Sequence, residues 1–354
     1  MRLQTVRSLF VPYSKVLFGG CGTLGERTGN VWPVACDHVH DDLAQDRLEQ
    51  DRLEHSVAGV VAHMVAVIGA AGLIGLQVCA QLSARSVPCC AVVRANTDVS
   101  RLAGLSTLAP GSLLVSSLAA IPEEVDVIVL CASAMYSNAD FEETEQRMPS
   151  ELIELARARG VTRFVLLSIS SQVREANAFL ESRRAVERQL KRSALPYTIL
   201  RPGAISERWF YASNGFSLEQ RCATVFGDGR AVIGFMAAAD VAQAIVAAIF
   251  HESAEDATLE LAGPTGLTQL EALECFAQQG VKLEYTVRSL EELRQELHKE
   301  LRESGSAADP RSGSHLALRL AYAQGATAPM AAISDALGLE LTPFSQWVRT
   351  RLGA

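Results

Sequence analysis

MVAVIGAAGLIG, residues 64–75, decides how the rest of the chain is read. MVAVI is a short continuous apolar run of the kind a buried strand needs. GAAGLIG then places glycines at 69, 72 and 75, and LIGLQVCAQLSAR repeats apolar residues at helical spacing. The order is strand, glycine turn, helix. A first glycine permits the tight turn, a second lets the backbone approach a pyrophosphate, and a third lets the helix pack closely on the strand. The helix N-terminus adds N–H groups and partial positive charge. Gly69, Gly72 and Gly75 therefore predict a dinucleotide-binding loop.

The next strand run, PCCAVVR (88–94), ends about 20 residues past the loop, where an NAD-preferring fold places an acid on the ribose hydroxyls. Here that position offers Arg94, which can pair with a 2′-phosphate and stack on adenine, so NADP(H) is expected in preference to NAD(H). Two further runs, VDVIVLCAS (125–133) and TRFVLLSIS (162–170), each follow a helical stretch and end in serines. Such alternation predicts an α/β fold, a Rossmann-like doubly wound parallel sheet with ligands outside the carboxyl ends of its strands. Ser133, Ser168 and Ser170 then fall at the cofactor crevice, although serines there equally cap helices.

The bulk composition narrows the partners. No run of about 18 apolar residues exists, so no membrane span is expected. A net charge of -8 leaves no basic face for nucleic acid. The eight cysteines include no CxxC pair, which fits a reducing compartment, and Cys89 and Cys90 read as small strand residues. No metal site is expected; His38 and His40 in DHVHDD read as polar tail sequence.

Residues 1–63 read as a leader. Its first 25 residues hold Arg2, Arg7 and Lys15 and no acid, a loosely transit-like composition, and a tandem DRLEQ–DRLEH follows. The leader is read as a disordered extension or an over-extended start, with the folded domain, 64–352, beginning at Met64. A cytoplasmic location is expected, or a mitochondrial or plastid one if the leader is an address.

Together GAAGLIG, Arg94, the LLSISS strand end, the helix SRRAVERQL and LPYTILRPG (195–203) resemble the NmrA-like branch of the atypical short-chain dehydrogenase/reductase superfamily. GDGRAVIGFMAAADVAQAIVAAI, LELAGPTGLTQLEAL and LEYTVRSLEEL extend the likeness to the quinone-oxidoreductase and triphenylmethane-reductase types. The resemblance implies an NADP-binding α/β fold with a smaller C-terminal α/β substrate lobe mainly from about residue 204 onward. It also implies either NADPH-dependent reduction of quinones or related acceptors, or cofactor sensing without turnover. Gly69, Gly72, Leu73, Ile74 and Gly75 would match the pyrophosphate loop, Arg94 the 2′-phosphate site, and Ser133 and Ser168 the strand ends beside ribose and nicotinamide. Pro202 and Gly203 would match the turn passing the nicotinamide, and Trp209, Phe210 and Tyr211 after it would help line an acceptor pocket.

The chain departs from the superfamily at its catalytic positions. No Tyr is followed four residues on by Lys, the pairing that lets tyrosine act as proton donor. The family's helix lysine corresponds to Arg183, four residues before Glu187; arginine can hold a ribose or carboxamide but is too basic for general acid work. Tyr136, three residues after Ser133, is the candidate hydroxyl. The third strand offers Ser116 and Ser117 where the family often has Gly-Asp, weakening an adenine contact. Asp240 is read as the N-cap of a helix over 240–250, residues 288–304 as an amphipathic helix, and 305–314 as a mobile connection lying over the acceptor pocket. LTPFSQWVRTRL is expected to dock through Phe344, Trp347 and Val348. The reading is an NADPH-dependent reductase passing hydride to a quinone or similar conjugated acceptor; the alternative is an NADP-binding redox sensor acting on a protein partner.

Overall fold

A computed structural model of the chain describes residues 64–95, 97–103, 112–303 and 309–353. The leader, with its tandem repeat and His38 and His40, lies outside the described residues. The strands are β1 Val65–Ile68, β2 Cys89–Val92, β3 Leu113–Val115, β4 Val127–Leu130, β5 Arg163–Leu167, β6 Tyr197–Pro202, β7 Cys222–Phe226, β8 Ala257–Leu261 and β9 Glu284–Arg288. The principal helices are α1 Leu73–Ala84, α2 Met148–Arg159, α3 Ala178–Arg192, α4 Ala238–Phe250, α5 Gln269–Gln278, α6 Leu290–Glu303, α7 Pro310–Ala323, α8 Met330–Leu337 and α9 Phe344–Leu352.

Seven strands pair in the order β3-β2-β1-β4-β5-β6-β8, every pair parallel. The chain runs outward from β1 to β3, then returns to lay β4 on the other side of β1. This reversal is the switch point of a doubly wound sheet, where a crevice opens beyond the strand ends. The register keeps those ends level: Ile68 lies opposite Val92 and Leu130, and Leu130 opposite Leu166.

β1 shows why the strand runs are apolar without alternation. Val65 and Val67 join one core and Ala66 and Ile68 the other, because successive side chains point to opposite faces and both faces are covered. α1 and α4 close one face through Leu76, Val78, Val241 and Ile245, and α2 and α3 the other through Leu152, Ile153, Val186 and Leu190. Cys89 and Cys90 follow the same rule, each buried in a different core.

A third core lies beyond β6, where the two-stranded parallel sheet β7-β9 meets α5, α6, α7 and α9. Its centre is aromatic: Phe210, Phe216, Phe235, Phe276, Phe344 and Trp347 sit with ring centroids 5.2–6.3 Å apart, in tilted and edge contacts except for the stacked pair Phe344–Trp347. The C-terminal docking through Phe344, Trp347 and Val348 is part of this core.

After residue 204 the chain also returns to the main sheet, because α4 is apolar on nearly every face and covers it, bringing β8 to its edge. Two expectations need amending. Asp240 is not an N-cap: α4 starts at Ala238 with Ala237 before it, and the Asp240 carboxylate accepts from the Thr342 backbone N–H (2.8 Å) and hydroxyl (2.7 Å). It ties the C-terminal segment to the sheet. The stretch read as a mobile connection over 305–314 becomes helical at Pro310. Asp309 accepts from Arg311 N–H as the cap, and proline is suited to a first helical position.

Candidate functional site

A cavity of about 1060 Å³ runs along the carboxyl ends of β2, β1, β4, β5 and β6 and under α7. That exceeds what one small ligand usually fills.

The nucleotide end is built from glycine backbone. Gly69 turns with φ +87°, and a Cβ there would lie 2.7 Å from Ala132 Cα, so the close approach of the β4 end excludes any side chain. A Cβ on Gly75 would lie 2.3 Å from Gly69 O; its absence lets α1 pack on the turn. Gly72 is the N-cap of α1 and supplies no side-chain cap, and Gly72, Leu73 and Ile74 line the cavity. The first-turn N–H groups of α1 thus remain available to an anion. Exposed Arg94 stands at the rim beyond β2, and Ser116 and Ser117 also line the wall, so that position is kept despite the missing Gly-Asp. A glycine cradle, an uncapped helix start and a rim guanidinium fit a phosphorylated dinucleotide.

At mid-cavity a buried network takes up residues that the sequence assigned to the cofactor or to chemistry. Arg183, 2% exposed, donates from Nη1 to Leu167 O (3.1 Å) and from Nη2 to Ala132 O (2.7 Å), and its Nη2 pairs with Glu145 Oε2 at 2.7 Å. A guanidinium so committed braces the ends of β4 and β5. It is a positioning residue, and its place in the catalytic set is corrected accordingly. Ser133 Oγ donates to Glu145 Oε1 (3.1 Å), which also accepts from Ala134 N–H (2.6 Å). Ser168, which lines the cavity, donates from Oγ to Glu187 Oε1 (2.5 Å). Glu187 also receives Arg184 and Arg201; burial pushes its carboxyl up, but Arg201, Ser168 and Arg184 outweigh this and hold it below the ordinary value.

Glu145 escaped the sequence reading. It lies in FEETEQR, which looks like a solvated helix start, yet a wide π-turn over Glu143–Arg147 carries its carboxylate inward. The only signal was indirect: a buried Arg183 needs a counter-charge.

The far end is made of side chains. Tyr136 is 42% exposed, its surface being cavity wall. Burial pushes its phenol up, opposed by Arg208 and Arg319, so it stays protonated at neutral pH. The Arg208 guanidinium sits 4.0 Å over the Tyr136 ring, and His315 meets that ring edge-on at 5.1 Å. His315 Nε2 lies 3.0 Å from Met135 O, and burial followed by Arg319 lowers its pKa, keeping the ring neutral. Pro202, Gly203, Trp209 and Tyr211 line the cavity. Phe210 does not. It is 4% exposed and faces the aromatic core, since a short helical turn over Ser206–Trp209 sends neighbouring side chains in different directions. Arg208, His315, Arg319 and Tyr322 complete the wall and were not read from the sequence.

Among the described residues no helix is long and apolar enough to cross a membrane. A family model described as NAD(P)H-binding matches residues 69–252, more than half of the chain. No curated protein matches. Among solved structures, the chain is similar to an NADPH-dependent quinone oxidoreductase from Escherichia coli (22% identity, 82% of this chain and 100% of that one, TM-score 0.60). It is likewise similar to the triphenylmethane reductase of a Citrobacter species in complex with NADP(H) (19% identity, 81% and 99%, TM-score 0.60). A third is the leucoanthocyanidin reductase–NADPH complex from Vitis vinifera (15% identity, 82% and 100%, TM-score 0.64). At these identities the likeness is one of fold.

Proposed function

The chain belongs to the NAD(P)H-binding family, and from that premise we propose that it is an NADPH-dependent reductase of a quinone or similar flat conjugated acceptor, working without flavin. The observation that carries this reading is the cavity's continuation past the β6 end into an aromatic-walled space beside Tyr136, with Trp209 and Tyr211 on the wall. Solved relatives of this fold, among them the quinone oxidoreductase and the triphenylmethane reductase, support the choice of acceptor class.

In this reading Gly69, Gly72, Leu73, Ile74 and Gly75 hold the pyrophosphate, Arg94 the 2′-phosphate, and Ser133, Ser168, Pro202 and Gly203 border ribose and nicotinamide. When bound, the cofactor supplies a hydride to the acceptor. Reduction of a quinone to the hydroquinone takes up, besides that hydride, one proton. Tyr136, kept protonated by burial, donates it at the nearer oxygen and recovers one from cavity water. Arg183 and Glu145 hold the β4 and β5 ends in register beneath the reacting ring.

The test is NADPH oxidation by the full chain against a panel of quinones and dyes, with NADH alongside. Gly72→Asp is the control: aspartate is a good N-cap, so α1 should form, while its carboxylate repels the pyrophosphate. Turnover that is lost in the control and falls roughly 100-fold in kcat with Tyr136→Phe is the expected result. Faster turnover with NADH than with NADPH would remove the role given to Arg94. Binding of NADPH without oxidation of any acceptor would replace the reductase by a redox sensor, the reading favoured by the commitment of Arg183 to carbonyls and Glu145.

A further inference from the structure

Among the described residues, two cations at the far end of the cavity form no ion pair, although Glu207 acts on Arg208 and Glu296 on Arg319 from a distance. Arg208 follows β6, and Arg319 lies on α7; both line the cavity and are partly buried. Among the described residues the Arg208 guanidinium makes no hydrogen bond or ion pair, its contact being the Tyr136 ring. Arg319 donates from Nε to Asn214 Oδ1 (2.8 Å) and from Nη2 to Ser213 O (2.7 Å), two neutral acceptors that aim the group without neutralising it.

The acids near them are engaged elsewhere. Glu207, beside Arg208 in sequence, accepts from Ala238 N–H and from Trp347 Nε1–H, each at 2.9 Å. Glu296, which acts on Arg319, is paired with Arg288. Burial pulls both guanidinium groups below the ordinary arginine range, the mark of cations that have lost water without gaining a partner.

Nor is this pair placed for the nucleotide's phosphates. Arg94 follows β2 and Arg208 follows β6, four strand spacings apart in the order β2-β1-β4-β5-β6. At about 4.8 Å per spacing this is roughly 19 Å. The glycine turn lies near Arg94, only one spacing away, so Arg208 and Arg319 belong to the acceptor's end.

We propose that the acceptor is an anionic aromatic compound, its ring lying among Tyr136, Trp209 and Tyr211 and its carboxylate or sulfonate held between Arg208 and Arg319. This rests on the reductase reading and names the substrate class for it. A planar guanidinium suits such oxyanions, and a half-desolvated one holds them with little competition from salt.

The experiment separates the charge from the chemistry. The full chain saturated with NADP+ is titrated calorimetrically with naphthalene-2-sulfonate and with naphthalene-2-sulfonamide, neutral and of nearly the same shape; neither can be reduced. The sulfonate should bind roughly tenfold or more tightly than the sulfonamide. In Arg208→Gln and in Arg319→Gln that preference should shrink toward unity, with NADP+ binding and circular dichroism unchanged. Arg208→Lys, which keeps the charge, should retain most of it and serves if the glutamine variants do not fold. Equal binding of the two probes by the native chain overturns the proposal, as does a preference that survives both glutamine substitutions. NADPH oxidation is read separately: turnover of neutral quinones with no sulfonate preference leaves the reductase standing without the anion site. Sulfonate preference without any turnover leaves the anion site standing without the reductase.

Discussion

At the glycine-loop end the cavity wall is backbone, contributed by one continuous stretch in which Gly69, Gly72 and Gly75 fall within seven residues. At the α7 end the wall is side chain, and Tyr136, Arg208, His315 and Arg319 come from three segments as much as about 180 residues apart. The first end is specified by what cannot be there, since a Cβ on Gly69 or Gly75 collides with backbone. The second is specified by what is brought together, and its parts have no meaning until the chain has folded. The difference teaches that the two ends should fail differently: changes at Gly69 or Gly75 break the fold, whereas changes at the far end leave the fold intact and alter what is bound.

The largest effect expected from this contrast is at Gly75. Its Cβ would lie 2.3 Å from Gly69 O and 2.8 Å from Ala70 Cα, both backbone atoms that no side-chain rotation can move. Gly75→Ala should cost about 3 kcal/mol or more, through overpacking and the turn strain that relieves it. Tyr136→Phe, by contrast, should stay within about 0.5 kcal/mol of the native chain, because the hydroxyl faces the cavity and no protein group loses a partner. Urea denaturation of the two variants measures both. Equal destabilisation would break the comparison.

A smaller effect is expected between the two ends. Glu145→Gln keeps an oxygen for Ser133 and the Ala134 N–H but removes the charge opposite Arg183, whose side chain is 3% exposed. Stranding that cation should cost on the order of 2–3 kcal/mol, toward the low end for broken buried pairs because Leu167 O and Ala132 O remain. The double variant Glu145→Gln with Arg183→Met should recover part of the loss, a coupling that a denaturation cycle reads directly. Additive losses would mean that the pair is not a unit and that Arg183 is free to serve the ligand.

The same contrast explains what the sequence disclosed. Strand, glycine turn, helix and the Arg94 position are local patterns whose spacing carries their meaning, and their repetition disclosed a doubly wound parallel sheet. Ser168 was placed at the right strand end, but its bond to Glu187 depends on α3 packing over β5. Phe210 was grouped with Trp209 and Tyr211 because they adjoin; which of three consecutive side chains faces a cavity is set by the backbone of one short turn. The first turn of α7 was read as part of a loop over 305–314 from its Gly, Pro and Ser content, though Asp309 and Pro310 form a good helix start. His315 and Arg319 lie beyond that stretch, and nothing local marks them as cavity wall. Glu145 was hidden by composition, since a run with three glutamates is normally solvated.

A smaller loss than at Gly75 or Glu145 is expected in the buttress common to both ends. The Glu187 carboxylate takes donors from Ser168, Arg184 and Arg201, and together they hold its pKa below the ordinary 4.5. A carboxyl depressed in the folded state contributes stability that is present above the unfolded value and is lost as pH falls through the folded one. The acid limb should therefore begin below about pH 4.5. Ser168→Ala removes one donor, raising the folded value toward the unfolded one. Its neutral-pH stability should drop by about 1 kcal/mol, and the difference from the native chain should fade as the carboxyl protonates in both. If the loss is instead constant from pH 7 to pH 3, the Ser168 hydroxyl does not stabilise the ionised carboxylate. It would then be available to a ligand, and the middle of the cavity would belong with the side-chain end rather than with the scaffold.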